Sequence, residues 1–324
     1  MLDEKKDLEK QEETTSEVAQ QKQIVTMQER DMKKVVDKQK VVKIIVMVLL
    51  YVFLITMGFM VLFPFYWMLN SSLKTMEEYR RSTPTFFPND IQFINYVVAF
   101  EKGNLGTLFI NTVYVGLVST ILSLVITVLS AFAFARLEFK GKNALFAALL
   151  ATMMIPGELF TITNYQTVTT LGWTEPDKAI PGTFVVLIIP FLVSVFYIYL
   201  LRQNFLQIPN ELYLAAKVDG TTDIKYLWKV MVPLSLPTLI SITILKMMGA
   251  WNSYMWPRLV ANDDFHKLIT NGLRGAGFVE EGTQQTHIPQ QMAAVAIVSF
   301  PLFLVFIFLR KYIMKGVSRS GIKG

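Results

Sequence analysis

The chain has 324 residues, of which 52% are hydrophobic and 17% charged, with a formal net charge of +6 and no cysteine. The charged share is below the roughly 25% of a soluble domain. The lack of cysteine excludes disulfides, thiolate metal sites and a cysteine nucleophile.

Residues 1–40 form a charged tail rich in Glu, Lys and Gln, in which only Val18, Ile24, Val25, Val35 and Val36 favour a helix. Such a composition cannot build a core. Residues 41–312 are different. Their apolar residues come in blocks, and about 18 in a row suffice to cross a bilayer. Six runs qualify: Ile44–Leu69, Leu108–Ala135, Ala144–Thr163, Ile180–Leu201, Leu234–Trp256 and Met292–Leu309. The expected fold is an all-α polytopic membrane protein with six transmembrane helices, closed by a short tail, residues 313–324. Pro64, Pro156, Pro190 and Pro301 punctuate the spans, since proline removes a ladder hydrogen bond. Ser130, Ala131, Ala133 and Ala135 permit close helix approach at the end of span two.

Charge sets the expected orientation, because short cytoplasmic loops are rich in Lys and Arg. Lys33, Lys34, Lys38, Lys40 and Lys43 precede span one. Arg136, Lys140 and Lys142 follow span two. Arg202, Lys217, Lys225 and Lys229 follow span four, and Arg310, Lys311, Lys315, Arg319 and Lys323 follow span six. The opposite loops are poorer or balanced: Lys74, Arg80, Arg81 and Lys102 stand against Glu77, Glu78, Asp90 and Glu101. Both termini and the loop at 203–233 are therefore expected in the cytoplasm.

That loop reads "QIPNELYLAAKVDGTTDIKYLWKVMVPLSLP" from Gln207 to Pro237. Asn210 is a candidate N-cap, and Glu211 suits the positive end of a helix. Asp219-Gly220 is a stop, because glycine tolerates the left-handed cap conformation. Thr222 or Asp223 is placed to start a second helix towards Pro233. Two short helices with an alanine-rich face fit either a partner protein or the lipid surface. No catalytic constellation appears. His266 and His287, the only histidines, do not suggest a metal site, and no G-x-x-x-x-G-K-[ST] loop is present to hold ATP. Nothing in the pattern points to nucleic acid.

The segment with Ala215, Ala216, Asp219 and Gly220, followed by Val232-Pro233 and Leu236-Pro237, resembles the EAA loop of ABC importer permeases. "GAWNSYMWPRLVAND", "MMIPGELFTITNY" and the ending "RKYIMKGVSRSGIKG" resemble the carbohydrate branch, similar to the second membrane subunit of the maltose/maltodextrin system. The resemblance covers about Ile44 to Gly324. The family's EAA glutamate falls at Leu214; Glu211 lies three residues earlier, on roughly the same helix face.

The resemblance implies a non-catalytic permease of the bacterial cytoplasmic (inner) membrane that imports a sugar or oligosaccharide. A second homologous permease subunit, two ATPase subunits and an extracytoplasmic sugar-binding protein are the implied partners. ATP and magnesium belong to the ATPases, with no cofactor in this chain. Glu211, Leu214, Ala215, Ala216, Asp219 and Gly220 would form the ATPase-coupling helix, and Ser320, Gly321 and Lys323 would touch the ATPase from the C-terminal end. The residues alone leave open an ion-coupled secondary transporter, or an ABC permease for peptides or amino acids. Ion coupling calls for intramembrane carboxylates, and the spans hold no Asp or Glu apart from Glu158, near the end of span three.

Lys246 lies near the middle of span five, too deep to snorkel. A central lysine facing lipid costs roughly 2.5–3.5 kcal/mol. It is expected to face the bundle interior. There it either bonds carbonyls freed by a broken helix or lines a translocation path with Trp251, Asn252, Ser253, Tyr254 and Trp256. In a path, the cation would add most for an acidic, carboxylated oligosaccharide.

Overall fold

The computed structural model describes residues 40, 42–174, 182–261, 263, 265–275, 277–278 and 285–318. Their elements are all helices. The chain divides into two compact units, Met1–Trp67 and Met68–Gly324.

What is described of the first unit is the bulk of one apolar helix, α1 (Val42–Ser72), with none of its most apolar window buried inside the protein. Along it Phe63 meets Phe59 at 6.0 Å and Trp67 at 5.9 Å. A helix apolar all round suits lipid.

The second unit is organised by α4 (Leu105–Arg136). Its 32 residues reach about 48 Å at 1.5 Å each, more than a bilayer's hydrocarbon. Helices α8 (Val195–Leu206) and α12 (Leu236–Trp251) pack along it, while α15 (Ile288–Ser318) packs on α12 and on α3 (Ile94–Lys102). One core cluster joins Phe132 and Ala135 of α4 to Leu201 and Phe205 of α8 and to Tyr226 and Met231 beyond them. Another, at the opposite end of α4, joins Leu105 and Leu108 to Trp251, Ala293 and Ala294. The helices approach closely: a Cβ on Gly116 would stand 3.2 Å from Met247.

Three helices are long and apolar enough to span alone: α1, α4 and residues 288–310 of α15. Three bent pairs raise the number to six if each pair is one span. The bends are 77° between α5 (Lys142–Thr152) and 157–170, 47° between 184–191 and α8, and 80° between 223–234 and α12. Pro64 and Pro301 sit inside continuous helices, whereas Pro156 and Pro190 sit at breaks. The difference is a second local signal. Gly157 follows Pro156, and Ser194 restarts the chain after Pro190 by accepting from the Tyr197 amide. The 80° break falls at Ser235, with Pro237 at the start of α12. Span five also ends earlier than expected. Its helix stops at Trp251, Asn252 returns its Nδ2 to the Met248 carbonyl at 2.9 Å, and a short α13 (Met255–Val260) follows.

The segment between Asn70 and Asn95 folds inward. Lys74 and Glu78, counted above as loop charges, are 2% and 4% exposed. Lys74 donates to the Thr85 carbonyl at 2.5 Å, and Glu78 accepts from the Thr85 hydroxyl at 2.6 Å and from the Asn89 amide. Asn95 donates to the Ser72 and Lys74 carbonyls, both at 2.9 Å. Burial pushes the Lys74 ammonium below its ordinary range, with Glu78 opposing the shift.

Candidate functional site: a capped loop helix and a central cavity

The loop after α8 begins from a fixed base. Arg136, at the end of α4, donates from Nη2 to the Phe205 carbonyl at 2.9 Å and the Ile208 carbonyl at 2.5 Å. Both carbonyls lie where α8 ends, and that of Phe205 also accepts from the Ile208 amide at 3.3 Å. Arg136 is 8% exposed, so it is a clamp in the wall rather than a solvated loop charge. Pro209 then turns the chain into α9 (Asn210–Val218). The expected N-cap at Asn210 is not formed: Asn210 is already helical, and Pro209, which has no side-chain acceptor, occupies the cap position. Glu211 stands in the first turn and Lys217 in the last.

The far end of α9 is closed as expected. Gly220 has φ +69°, its amide donates to the Lys217 carbonyl at 3.0 Å, and the Thr221 amide donates to Ala216 at 2.8 Å. Crossed bonds of this kind satisfy the last carbonyls of a helix and require a left-handed residue between them. Thr222 caps α10 (Asp223–Tyr226) by accepting from the Lys225 amide. A π-helical turn, Leu227–Met231, carries the chain back to the bundle.

Asp223 joins the two short helices. Its Oδ1 accepts from Tyr213 Oη at 2.7 Å and meets Lys217 Nζ at 2.7 Å. The bond to Asp223 holds the Lys217 ammonium above its ordinary value. Tyr213 also packs its ring 5.2 Å from Tyr226. Sequence reading missed this staple and the Arg136 clamp. The i, i+4 spacing of Tyr213 and Lys217 was the available signal for the first; the clamp spans 69 residues and left none.

The six loop residues divide by face. Glu211, Leu214 and Ala215 are exposed, and with Val218 they make one helical stripe; Leu214 is 55% and Val218 88% exposed. Ala216 is half-buried against the core beside Tyr213, off that stripe. Asp219 and Gly220 form the end. Ser320, Gly321 and Lys323 lie outside the described residues, as does the tail at 1–39.

Inside the bundle, a cavity of about 360 Å³ opens at the break in span four, walled by Ser119, Phe191, Tyr197, Lys246, Ser253 and Trp256, among others. Lys246 Nζ donates at 2.5 Å to the carbonyl of Phe191, the last residue of the short turn before the break. Lys246 thus bonds a carbonyl at the break and also lines the cavity. Trp256 donates Nε1 to the Val186 carbonyl at 3.0 Å and sets its ring edge-on to Phe191. Lys246 is the one charged residue of this lining among the described residues. Trp251, Asn252 and Tyr254 do not line it: Trp251 meets Phe109 at a tilt, with ring centroids 5.6 Å apart, Asn252 caps α12, and Tyr254 stands between Arg258 and Arg274. Among the described residues no three of His, Cys, Asp and Glu are gathered for a metal; His266 pairs with Asp263 at 2.7 Å.

The sequence pattern of the family described as "Binding-protein-dependent transport system inner membrane component" matches residues 32–319. The chain belongs to this family. As a permease it is a multi-pass component of the inner membrane and not an enzyme. It is 29% identical over 270 residues to the arabinooligosaccharides transport system permease protein AraQ of Halalkalibacterium halodurans, covering 82% of this chain and 93% of the relative. It is 31% identical over 261 residues to the melibiose/raffinose/stachyose import permease protein MelC of Bacillus subtilis, covering 81% and 91%. A crystal structure of a bacterial ABC transporter that imports the acidic polysaccharide alginate contains a chain of the same fold, with a TM-score of 0.73, 22% identity, and 82% of this chain and 95% of that chain covered.

Proposed function

We propose that this permease is one of two homologous membrane subunits of an ABC importer that carries a sugar or oligosaccharide into the cytoplasm. An extracytoplasmic binding protein delivers the substrate, and two ATPase subunits bind and hydrolyse ATP. Both termini and α9 lie on the cytoplasmic side. Helix α9 docks in a cleft of an ATPase and passes its motion to the bundle, and the cavity beside Lys246 forms part of the path. The observation that carries this reading is α9 itself: a helix clamped at its base, capped and stapled at its far end, yet showing Leu214 and Val218 to water. A fold that stabilises a helix so thoroughly and leaves its apolar stripe bare suits a surface that another protein covers. The names of the relatives, which are permeases for oligosaccharides, support the substrate class.

The test is reconstitution in proteoliposomes with the second permease, the ATPases and the binding protein. Oligosaccharide uptake should require ATP and the binding protein. Uptake driven by an ion gradient without ATP would overturn the proposal. For orientation, a cysteine at Gly220 should resist an impermeant thiol reagent on intact cells and one at Asp90 should react; the reverse pattern would invert the topology.

The cavity lining favours a second reading within this one, that the substrate is acidic. Lys246 meets no lining carboxylate, so its charge is available to one on the substrate. Lys246→Gln should then depress uptake of a uronic-acid oligosaccharide at least about tenfold, the scale of one charged hydrogen bond, and leave neutral oligosaccharides unaffected. Equal losses for both would make Lys246 a structural lysine.

A further inference from the structure

A second cavity, also of about 360 Å³, lies where the end of α4, the start of α5 and the end of α8 meet. Its wall includes Glu138, Phe139, Lys142, Asn143, Arg202 and Leu206. These are the points at which spans two, three and four leave the hydrocarbon on the side of the α9 loop, so the cavity sits at headgroup depth. Its chemistry suits a phosphate. Arg202 donates Nε to the Phe134 carbonyl at 3.0 Å, and its guanidinium carbon lies 4.1 Å over the Phe146 ring. The group is held in place, while its two Nη donors have no acceptor among the described residues.

Lys142 Nζ stands 3.3 Å from Glu138 Oε1, but the lysine side chain is only 15% exposed and the glutamate 89%. The cation belongs to the wall, and its carboxylate partner is free to swing into water. The backbone adds donors. Helix α5 starts behind a left-handed Gly141 with no side-chain cap, and the amides of Asn143 and Ala144 have no acceptor among the described residues. Beside these donors, Phe139 and Leu206 present apolar surface, 42% and 43% exposed.

We propose that this cavity binds the phosphate of an anionic phospholipid from the leaflet on the α9 side. Basic pockets between transmembrane helices take such headgroups, because cation and acyl surface are offered together. Arg202 forks onto the phosphate oxygens, as planar guanidinium does, and the lysine and amides complete the shell. The acyl chains run along Phe139 and Leu206. Two cations against one exposed carboxylate leave the wall net positive, so a headgroup without its own cation is preferred. A bound lipid braces the α4–α8 junction from which the loop hangs.

Inorganic phosphate shares the chemistry but not the chains, and the test separates the two. The full chain is exchanged into detergent and retained lipid is measured by native mass spectrometry; the thermal midpoint is followed on adding phosphatidylglycerol, phosphatidylcholine or inorganic phosphate. Phosphatidylglycerol should be retained and should raise the midpoint, and phosphatidylcholine should do neither. Lys142→Gln and Arg202→Gln should each cut retention roughly tenfold, the scale of one charge-assisted bond. Ala144→Asp, which adds an exposed carboxylate to the wall without touching the Arg202 contacts, should do the same and decides the matter if Arg202→Gln fails to accumulate. A midpoint raised as far by inorganic phosphate would replace the lipid with a soluble anion. Equal retention of both lipids, or undiminished phosphatidylglycerol in Lys142→Gln and Ala144→Asp, would overturn the site.

Discussion

The segment from Asn70 to Asn95 and the loop from Ile208 to Tyr226 are both short, polar connections that contain helical turns, and they are finished in opposite ways. The first turns its charges inward. Lys74 and Glu78 are buried, and their partners are backbone and hydroxyl groups a few residues away. The second keeps its charges outside, pairs Lys217 with Asp223 at the surface, and leaves Leu214 and Val218 in water. A buried charge is tolerable only when it is paired and hydrogen-bonded, and both buried charges of the first connection have such partners. An exposed apolar stripe on a rigid helix is unfinished. Stability resides in one connection and interaction in the other.

That contrast is open to attack by mutation. The largest effect is expected from Glu78→Ala, which strips Lys74 of its counter-charge and leaves Thr85 and Asn89 without their acceptor. Breaking a buried charged network costs about 3–5 kcal/mol, and the protein should fail to accumulate in the membrane. Normal accumulation with an unchanged thermal midpoint would show that the inward-turned segment is dispensable. Next comes Arg136→Ala, which removes the donor from the Ile208 carbonyl and one of the donors from the Phe205 carbonyl beside the loop. A buried polar group left unpaired costs about 1–3 kcal/mol, so the midpoint should fall while the protein still inserts. Arg136→Lys should recover only part, since a point charge cannot serve two carbonyls as a planar fork does.

Smaller again is Gly220→Val. No neighbour lies within 4 Å of a Cβ there, so the penalty is the left-handed backbone alone, about 1–2 kcal/mol. Accumulation should be normal and coupling of ATP hydrolysis to transport impaired, whereas Gly220→Asn should couple normally. The smallest effect on stability is that of Leu214→Glu, within about 0.5 kcal/mol as at other exposed positions. Any change should appear only when the ATPase is present: tolerance if the partner accepts a carboxylate there, loss of assembly if its surface is apolar. A lowered midpoint in the isolated permease would mean that α9 is not a free surface.

Much of this architecture is written locally. The apolar runs, the glycine stop at 220 and a cap at Thr222 or Asp223 are short-range signals; the structure forms the stop and caps at Thr222, while three of the six runs are single helices and three are bent pairs. What the sequence does not carry is direction. Arg136, Arg202 and Lys74 look like loop charges because each adjoins a span, yet each is turned towards a carbonyl of a distant or folded-back segment. Composition is the same whether a guanidinium points at water or at Phe205. The same holds for the candidate path: Ser253 and Trp256 reach the cavity with Lys246, while Trp251 and Tyr254 do not, because the helix stops at Trp251 and the regular 100° step between residues is lost. Proline alone did not mark the breaks either, since Pro64 and Pro301 sit inside continuous helices.

The Tyr213–Lys217–Asp223 staple has a thermodynamic corollary. With Lys217 and Asp223 neutralised within the loop, the stripe that remains on α9 is Leu214, Ala215 and Val218 with a single charge, Glu211. A surface of that kind gives up few counter-ions when it is covered. Assembly on α9 should therefore be nearly indifferent to ionic strength between low and physiological salt, and calorimetry should find a negative heat-capacity change, the mark of apolar burial. A steep salt dependence would instead assign the contact to Glu211.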